Sequence, residues 1–155
     1  MKREYYSYNE FIKDLKILIK KIDFDFDAIV AIARGGMTIA HLLGEYYDIR
    51  DVFTINSIGY KDTKKLENIK IFNIPDLKKY RKILLVDDII DSGETIKEVT
   101  DKIKEKYPDI KIKVASIFYK KDAVYKPDFF AKYANNWIDF FWSIDLKAKN
   151  DIDDR

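Results

Sequence analysis

The chain of 155 residues has no cysteine and a single histidine, His41. The first absence excludes disulfides, thiolate metal sites and a cysteine nucleophile. The second excludes a histidine-rich metal cluster and leaves a Ser-His-Asp triad with little support. No stretch approaches the ~20 apolar residues of a membrane-spanning helix, and no long apolar core follows the basic residues at the N-terminus. The expectation is a cytoplasmic chain without an integral membrane segment. Charge of one sign is also missing: 29 Lys and Arg face 27 Asp and Glu, for a net charge of +2. That balance gives no pull toward nucleic acid or an anionic membrane. Repeats, linkers and low-complexity tracts are absent. A chain of this length buries roughly 70% of its unfolded surface and supports its own core, so one domain is expected. We place it at residues 1–146, followed by a polar tail, residues 147–155, that frays.

What is present alternates between two periodicities. Ser7 and Glu10 have capping-box spacing, and Phe11, Leu15, Leu18 and Ile22 recur at helical intervals, which predicts a helix over residues 8–22. Ala28 to Ala33 is a short apolar run ending in Arg34-Gly35-Gly36, the pattern of a buried strand and a tight loop. Met37 to Tyr47 reads as helix and Val52 to Ile58 as strand. Gly59 to Asn68 is polar and Lys-rich, and predicts a mobile loop. Short strands are expected at Ile69–Phe72 and Ile83–Val86, a helix at Thr95–Tyr107 and a strand at Lys111–Tyr119. An aromatic-rich segment, Phe129 to Trp142, comes last. This alternation predicts an α/β domain with a mainly parallel central sheet flanked by helices. In such sheets ligands bind beyond the C-terminal ends of the strands. The loops after Ala33 and after Val86 both fall at such ends and so share one edge of the sheet.

The most informative block runs from Ile83 to Thr95. Four apolar residues, Ile83-Leu84-Leu85-Val86, lead into Asp87 and Asp88; Asp91, Ser92, Gly93, Glu94 and Thr95 follow before a helix. One carboxylate of the pair can accept hydrogen bonds from vicinal hydroxyls while the other faces a cation. Carboxylates, sugar hydroxyls and phosphate oxygens together make a hard oxygen site suited to Mg²⁺. Gly93 allows close backbone approach, Ser92 and Thr95 add hydroxyls, and a helix N-terminus favours phosphate. Taken alone, the pair could be two solvated acids at a strand end, and Asp91 could be a helix N-cap. The complete block points to a phosphorylated, polyhydroxylated, metal-bound ligand.

This block resembles the signature of the type I phosphoribosyltransferases, which bind phosphoribosyl pyrophosphate. The resemblance implies their Rossmann-like fold, with a small hood contributed by the C-terminal segment, near residues 120–142. It implies that Asp87 and Asp88 hold the ribose hydroxyls directly or through Mg²⁺, and that Asp91 to Thr95 wrap the 5′-phosphate. Arg34, Gly35 and Gly36 sit where the family binds pyrophosphate, in a loop that often holds a cis peptide; an ordinary strand-to-helix turn is the plainer alternative. Ser57, Tyr60 and Lys61, with the polar stretch beyond them, resemble the family's flexible catalytic loop.

The C-terminal region is similar to the bacterial xanthine-guanine phosphoribosyltransferases and their purine-salvage relatives. There Lys120 matches a Lys that contacts the oxygen at position 6 of the purine, although Lys121 beside it leaves the choice open. Trp137, Ile138 and Asp139 match a Trp-Ile-acid segment whose Trp stacks on the base, worth ~1–3 kcal/mol, and whose following residues, here Ile138 and Asp139, contact the purine edge. Phe140, Phe141 and Trp142 read instead as core or interface. Asp91 lies where relatives place an acid near N7, which makes it the expected general acid or base, and Asp87 and Asp88 complete the catalytic set. Glu94 departs from the family pattern, since a carboxylate beside a phosphate loop is unfavourable unless it points to solvent. The implied reaction transfers phosphoribosyl to N9 of guanine, xanthine or hypoxanthine and releases pyrophosphate, in a homodimer or homotetramer. Two rivals are a receiver-type signalling domain, disfavoured by the mid-chain position of the acids, and a non-catalytic relative that senses phosphoribosyl pyrophosphate.

Overall fold

The computed structural model describes residues 2–61 and 67–148. In chain order the elements are β1 (Arg3–Tyr6), α1 (Tyr8–Lys21), β2 (Ala28–Ala33), α2 (Met37–Tyr47), β3 (Val52–Lys61) and β4 (Glu67–Phe72). They continue with β5 (Lys82–Ile90), α3 (Glu94–Lys106), β6 (Lys111–Tyr119), β7 (Phe129–Tyr133) and β8 (Trp137–Phe140). Six strands form one sheet in the order β4-β3-β2-β5-β6-β7. All neighbours are parallel except β3 and β4. This is the expected α/β architecture.

The near-continuous apolar runs of β2 and β5 are explained by burial on both faces. Ile29, Ala31, Leu84 and Val86 pack toward Phe11, Leu15 and Leu18 of α1 and Ile39 and Leu43 of α2. Val30, Ile32, Ile83 and Leu85 pack on the opposite face against Ile96, Val99 and Ile103 of α3. Fully burying each such side chain contributes roughly 1.5–3 kcal/mol, enough to hold the sheet between two helical layers. α1 begins at the expected capping box: Glu10 N–H donates to Ser7 Oγ at 3.2 Å, and Ser7 N–H donates to the Glu10 carboxylate at 2.9 Å.

Three elements differ from expectation. Residues 59–68 were expected as a loop, yet β3 runs on to Lys61 and β4 begins at Glu67, paired antiparallel with Lys61 opposite Glu67. Ile69 and Ile71 alternate onto one face of the hairpin, opposite Gly59 and Ser57, which supports strand pairing, and lysines are well tolerated on an edge hairpin. Residues 62–66 lie outside the described set. Ser57, Tyr60 and Lys61 are therefore on a strand, with Ser57 opposite Ile71. Second, β5 continues through Asp87 and Asp88 to Ile90, because β6 keeps pairing with it as far as Tyr119. Third, a strand that the sequence did not signal, β1, pairs in parallel with β8, Arg3 opposite Trp137. The small second sheet is thus built from both ends of the described chain, not from the C-terminal segment alone. The tail expected at residues 147–155 lies, beyond Ala148, outside the described residues.

Candidate active site

β2 and β5 are adjacent, yet their following connections depart to opposite faces: α2 covers one face and α3 the other. That is a topological switch point, where an open α/β sheet leaves a crevice for ligand. Both distinctive loops flank it. In the first, the Ala33–Arg34 peptide is cis, Arg34 is exposed, and Gly36 N–H donates to the Ile32 carbonyl at 2.9 Å. Its glycines are demanded by contact. A Cβ on Gly35 would lie 2.5 Å from Asp88 Oδ2, and one on Gly36 would run into the Val86 carbonyl. The first loop therefore lies directly against the end of β5 and its acids.

In the second loop Gly93 has φ +84°, a left-handed conformation that favours glycine, and a Cβ there would meet Tyr125 N at 2.6 Å. Val124 N–H donates to the Ser92 carbonyl at 2.8 Å, which ties this loop to the β6–β7 connection. Gly36 and Gly93 are the N-caps of α2 and α3 and make no side-chain cap, although Ser92 Oγ accepts from the first-turn Glu94 N–H at 3.3 Å. Two glycine-capped helix N-termini thus open at the switch point, where first-turn N–H groups and the helix dipole suit an anion. Asp91 is not the N-cap of α3, the plainer role open to it. Glu94, the puzzling residue of the block, is exposed and occupies the first turn of α3, where a carboxylate complements the dipole.

Asp87 and Asp88 are half-buried at the floor of the crevice. Asp87 Oδ1 accepts from Asp88 N–H at 2.9 Å, and Asp88 Oδ1 accepts from Ile89 N–H at 2.7 Å. Burial, reinforced by the neighbouring charge of Asp88, holds the Asp87 carboxyl well above the usual carboxylate range. Burial likewise raises Asp88. No group of three or more acidic, His or Cys side chains suited to a metal occurs among the described residues. The donor set nevertheless fits Mg²⁺, which is commonly held by one or two carboxylates plus ligand phosphates rather than by an all-protein cage. A divalent cation at this pair would also relieve the charge cost that raises both carboxyls.

A cavity of about 450 Å³ opens beside these acids, lined by Asp88, Asp91, Lys120, Trp137, Asp139 and Arg3 among others. Hollows of about 390 and 590 Å³ lie beside α2 and at the opposite end of the sheet, and hold neither acid pair nor phosphate loop. In the first cavity Lys120 Nζ pairs with Asp91 Oδ1 at 2.6 Å. Lys121 is exposed and lies over the Tyr133 ring at 4.6 Å. Of the two lysines, Lys120 is the one that lines the cavity. Trp137 leaves half its surface exposed, while Ile138 is buried. Trp142 stacks on Phe140 at 4.7 Å and packs edge-on to Phe11 at 5.1 Å, the core role expected of it.

Arg3 was invisible to sequence reasoning. It reaches the cavity only because β1 pairs with β8, and its four-residue strand carries no local periodicity. Its guanidinium donates twice to Asp139, from Nε at 3.0 Å and from Nη2 at 2.8 Å, and Trp137 Nε1 donates to the same carboxylate at 3.2 Å.

With this geometry established, similarity decides the family. The pattern of the phosphoribosyl transferase domain matches residues 2–149. The chain belongs to that family. A xanthine-guanine phosphoribosyltransferase of Roseobacter denitrificans is 27% identical over 156 residues, 91% of this chain and 85% of the relative. One from Ruegeria sp. is 30% identical over 81% of this chain and 73% of the relative. Among solved structures, a xanthine-guanine-hypoxanthine phosphoribosyltransferase of Helicobacter pylori is 43% identical and superposes with a TM-score of 0.85, covering 94% of this chain and 97% of that one. The chain is a type I phosphoribosyltransferase similar to these bacterial enzymes.

Proposed function

We propose that this phosphoribosyltransferase transfers the 5-phosphoribosyl group of phosphoribosyl pyrophosphate to N9 of an oxopurine (guanine, xanthine or hypoxanthine) and releases pyrophosphate. The observation that carries this reading is the Lys120–Asp91 pair. It faces the cavity that Trp137 also lines, beside two glycine-capped helix N-termini. Lys120 is a donor suited to a carbonyl at purine position 6, and Asp91 an acceptor suited to the neighbouring N7–H. An amino group at position 6 offers no acceptor of equal strength to Lys120, so the pair favours oxopurines over adenine.

The chain's own residues divide the work. The first-turn amides of α3, with Ser92, Gly93 and Thr95, receive the 5′-phosphate. Arg34 and the backbone of Gly35 and Gly36 hold the pyrophosphate. Asp87 and Asp88 orient the ribose hydroxyls and would hold Mg²⁺, which when bound neutralises pyrophosphate charge as it leaves. Trp137 stacks on the base and places N9 in line with C1′, so that placement and electrostatics supply most of the rate. Asp91 takes the purine proton as N9 forms its bond and the C1′–oxygen bond to pyrophosphate breaks. Ser57, Tyr60 and Lys61 lie on the hairpin that borders the site and are assigned to closing it.

The test is Mg²⁺-dependent pyrophosphate release across guanine, xanthine, hypoxanthine, adenine and the pyrimidines. Turnover restricted to the oxopurines is expected, and Asp91→Asn should lower kcat about a hundredfold while the fold is retained. Near-normal turnover of that variant would remove the proton-transfer role. No turnover with any base would leave a sensor of phosphoribosyl pyrophosphate instead.

A further inference from the structure

The cavity wall beside Trp137 carries a charge arrangement that the proposed reaction does not use. Asp139 sits there with a carboxylate that would make the wall anionic. Arg3, arriving from the other end of the described chain, covers it with two parallel hydrogen bonds of 3.0 and 2.8 Å. This planar two-point match is the strong geometry for an Arg–carboxylate pair. The same carboxylate accepts from Trp137 Nε1, so the charge state of Asp139 bears directly on the edge of the stacking platform. Both Arg3 and Asp139 line the cavity, whereas the Lys120–Asp91 pair lines it from the strand-end side. A base that presents one edge to Lys120 presents its remaining edge toward the hood, where Arg3 and Asp139 lie.

We propose that Arg3 is a specificity-determining residue: by neutralising Asp139 it lets the cavity accept xanthine, the most acidic and most readily anionic of the three oxopurines. The inference rests on the oxopurine reading above. An uncovered Asp139 would repel the xanthine anion and its additional exocyclic oxygen. The same bare carboxylate would be indifferent to neutral hypoxanthine and would attract the amino group of guanine. Arg is suited to this task because it stays charged and its fork fixes the carboxylate in one orientation.

The measurement is kcat/KM for xanthine, guanine and hypoxanthine at one pH, in the wild-type protein, Arg3→Met, Asp139→Asn and the double variant. In Arg3→Met the xanthine-to-hypoxanthine ratio should fall about fivefold, the size of one partly exposed charge contact. The double variant, whose wall is neutral again, should recover the ratio. An Arg3 that merely fastened β1 to β8 would lower all three bases together, and that result overturns the proposal. So does a ratio that falls in Arg3→Met and stays low in the double variant. If Arg3→Met does not fold, Asp139→Asn alone decides: removing the anion while keeping the cation should raise the ratio, and an unchanged or lower ratio is fatal. Wild-type protein inactive on all three bases would sink the oxopurine reading itself. Wild-type activity with an unresponsive ratio would sink only the role of Arg3.

Discussion

At the scale of single residues the site is assembled at a cost to stability. Asp87 and Asp88 are adjacent acids on a largely buried strand end, and burial with mutual repulsion raises the Asp87 carboxyl well above its ordinary value. A raised acid binds its proton more readily folded than unfolded. Its stability contribution is therefore fullest at low pH and falls as pH rises from the unfolded value toward the folded one. Ionisation of the pair therefore opposes folding. Asp87→Asn keeps an oxygen for the Asp88 N–H and removes the charge, so its thermal midpoint should exceed wild type at pH 7. The gain should be about 2–4 °C per kcal/mol relieved and shrink in acid. Calorimetry at the two pH values checks this, and a lower midpoint at pH 7 would contradict the strain assigned to the pair. Activity should fall in the same variant, the usual exchange at a site selected for chemistry. The acids, the glycines and Arg34 were legible as a motif because chemistry at a strand end needs fixed residue types in a fixed order. Glu94 was not, because its exposure and its place inside the first turn of α3, one residue before the expected helix start, are set by the fold.

At the scale of elements, local signals did well where a segment is both periodic and capped. α1 starts at Ser7 because the side chain and backbone of Ser7 exchange hydrogen bonds with Glu10. Ser7→Ala should cost about 1 kcal/mol, read as a lower urea midpoint with an unchanged slope. Hydrogen bonding from the Ser7 backbone, then its hydroxyl, lowers the Glu10 carboxyl. A lowered acid contributes stability above its unfolded value and loses it as pH falls through the folded one, so the Ser7→Ala penalty should diminish in acid. A penalty that is constant with pH would show that the 3.0 Å bond from the Ser7 hydroxyl to the Glu10 carboxylate contributes nothing. The end of β3 and the start of β4 were read as loop because their polar residues mask a strand pairing that only the partner strand reveals. β1 failed for a related reason: four residues, three of them exposed, give a period-two pattern no length to show itself.

At the scale of the molecule, the two ends of the described chain meet over the crevice. β1 is anchored beneath by Tyr6, whose hydroxyl donates to Asp14 at 2.6 Å while Lys132 pairs with the same carboxylate at 3.0 Å. Burial, and then the hydrogen bond to Asp14, raise the Tyr6 hydroxyl far above its ordinary range, so it remains a donor at all working pH values. The ring also packs edge-on against Phe118 at 4.8 Å and Phe140 at 5.8 Å, which joins the main sheet to the hood. Tyr6→Phe keeps that packing and deletes the donor. It should cost about 0.5–3 kcal/mol and raise KM for the purine, with KM for phosphoribosyl pyrophosphate little changed. The split follows because β1 supports β8 and Trp137 but touches neither phosphate loop. Equal increases in both constants would show that the anchor acts on the whole site.

Local order along the chain carried the class of fold and the candidate site residues. Apolar runs buried on both faces must become central parallel strands, and acids, glycines and hydroxyls at their ends must meet on one edge. Those are consequences of local order, and they were legible as such. The tertiary structure decided which strands are neighbours and so put Gly35 against Asp88 at the switch point. It chose Lys120 over Lys121 by directing one into the cavity and the other onto Tyr133. It also brought Arg3 to Asp139 across nearly the whole chain. Pairings of this kind are set by the packing of distant elements, whose gain appears only when both are in place, and no window along the sequence contains them.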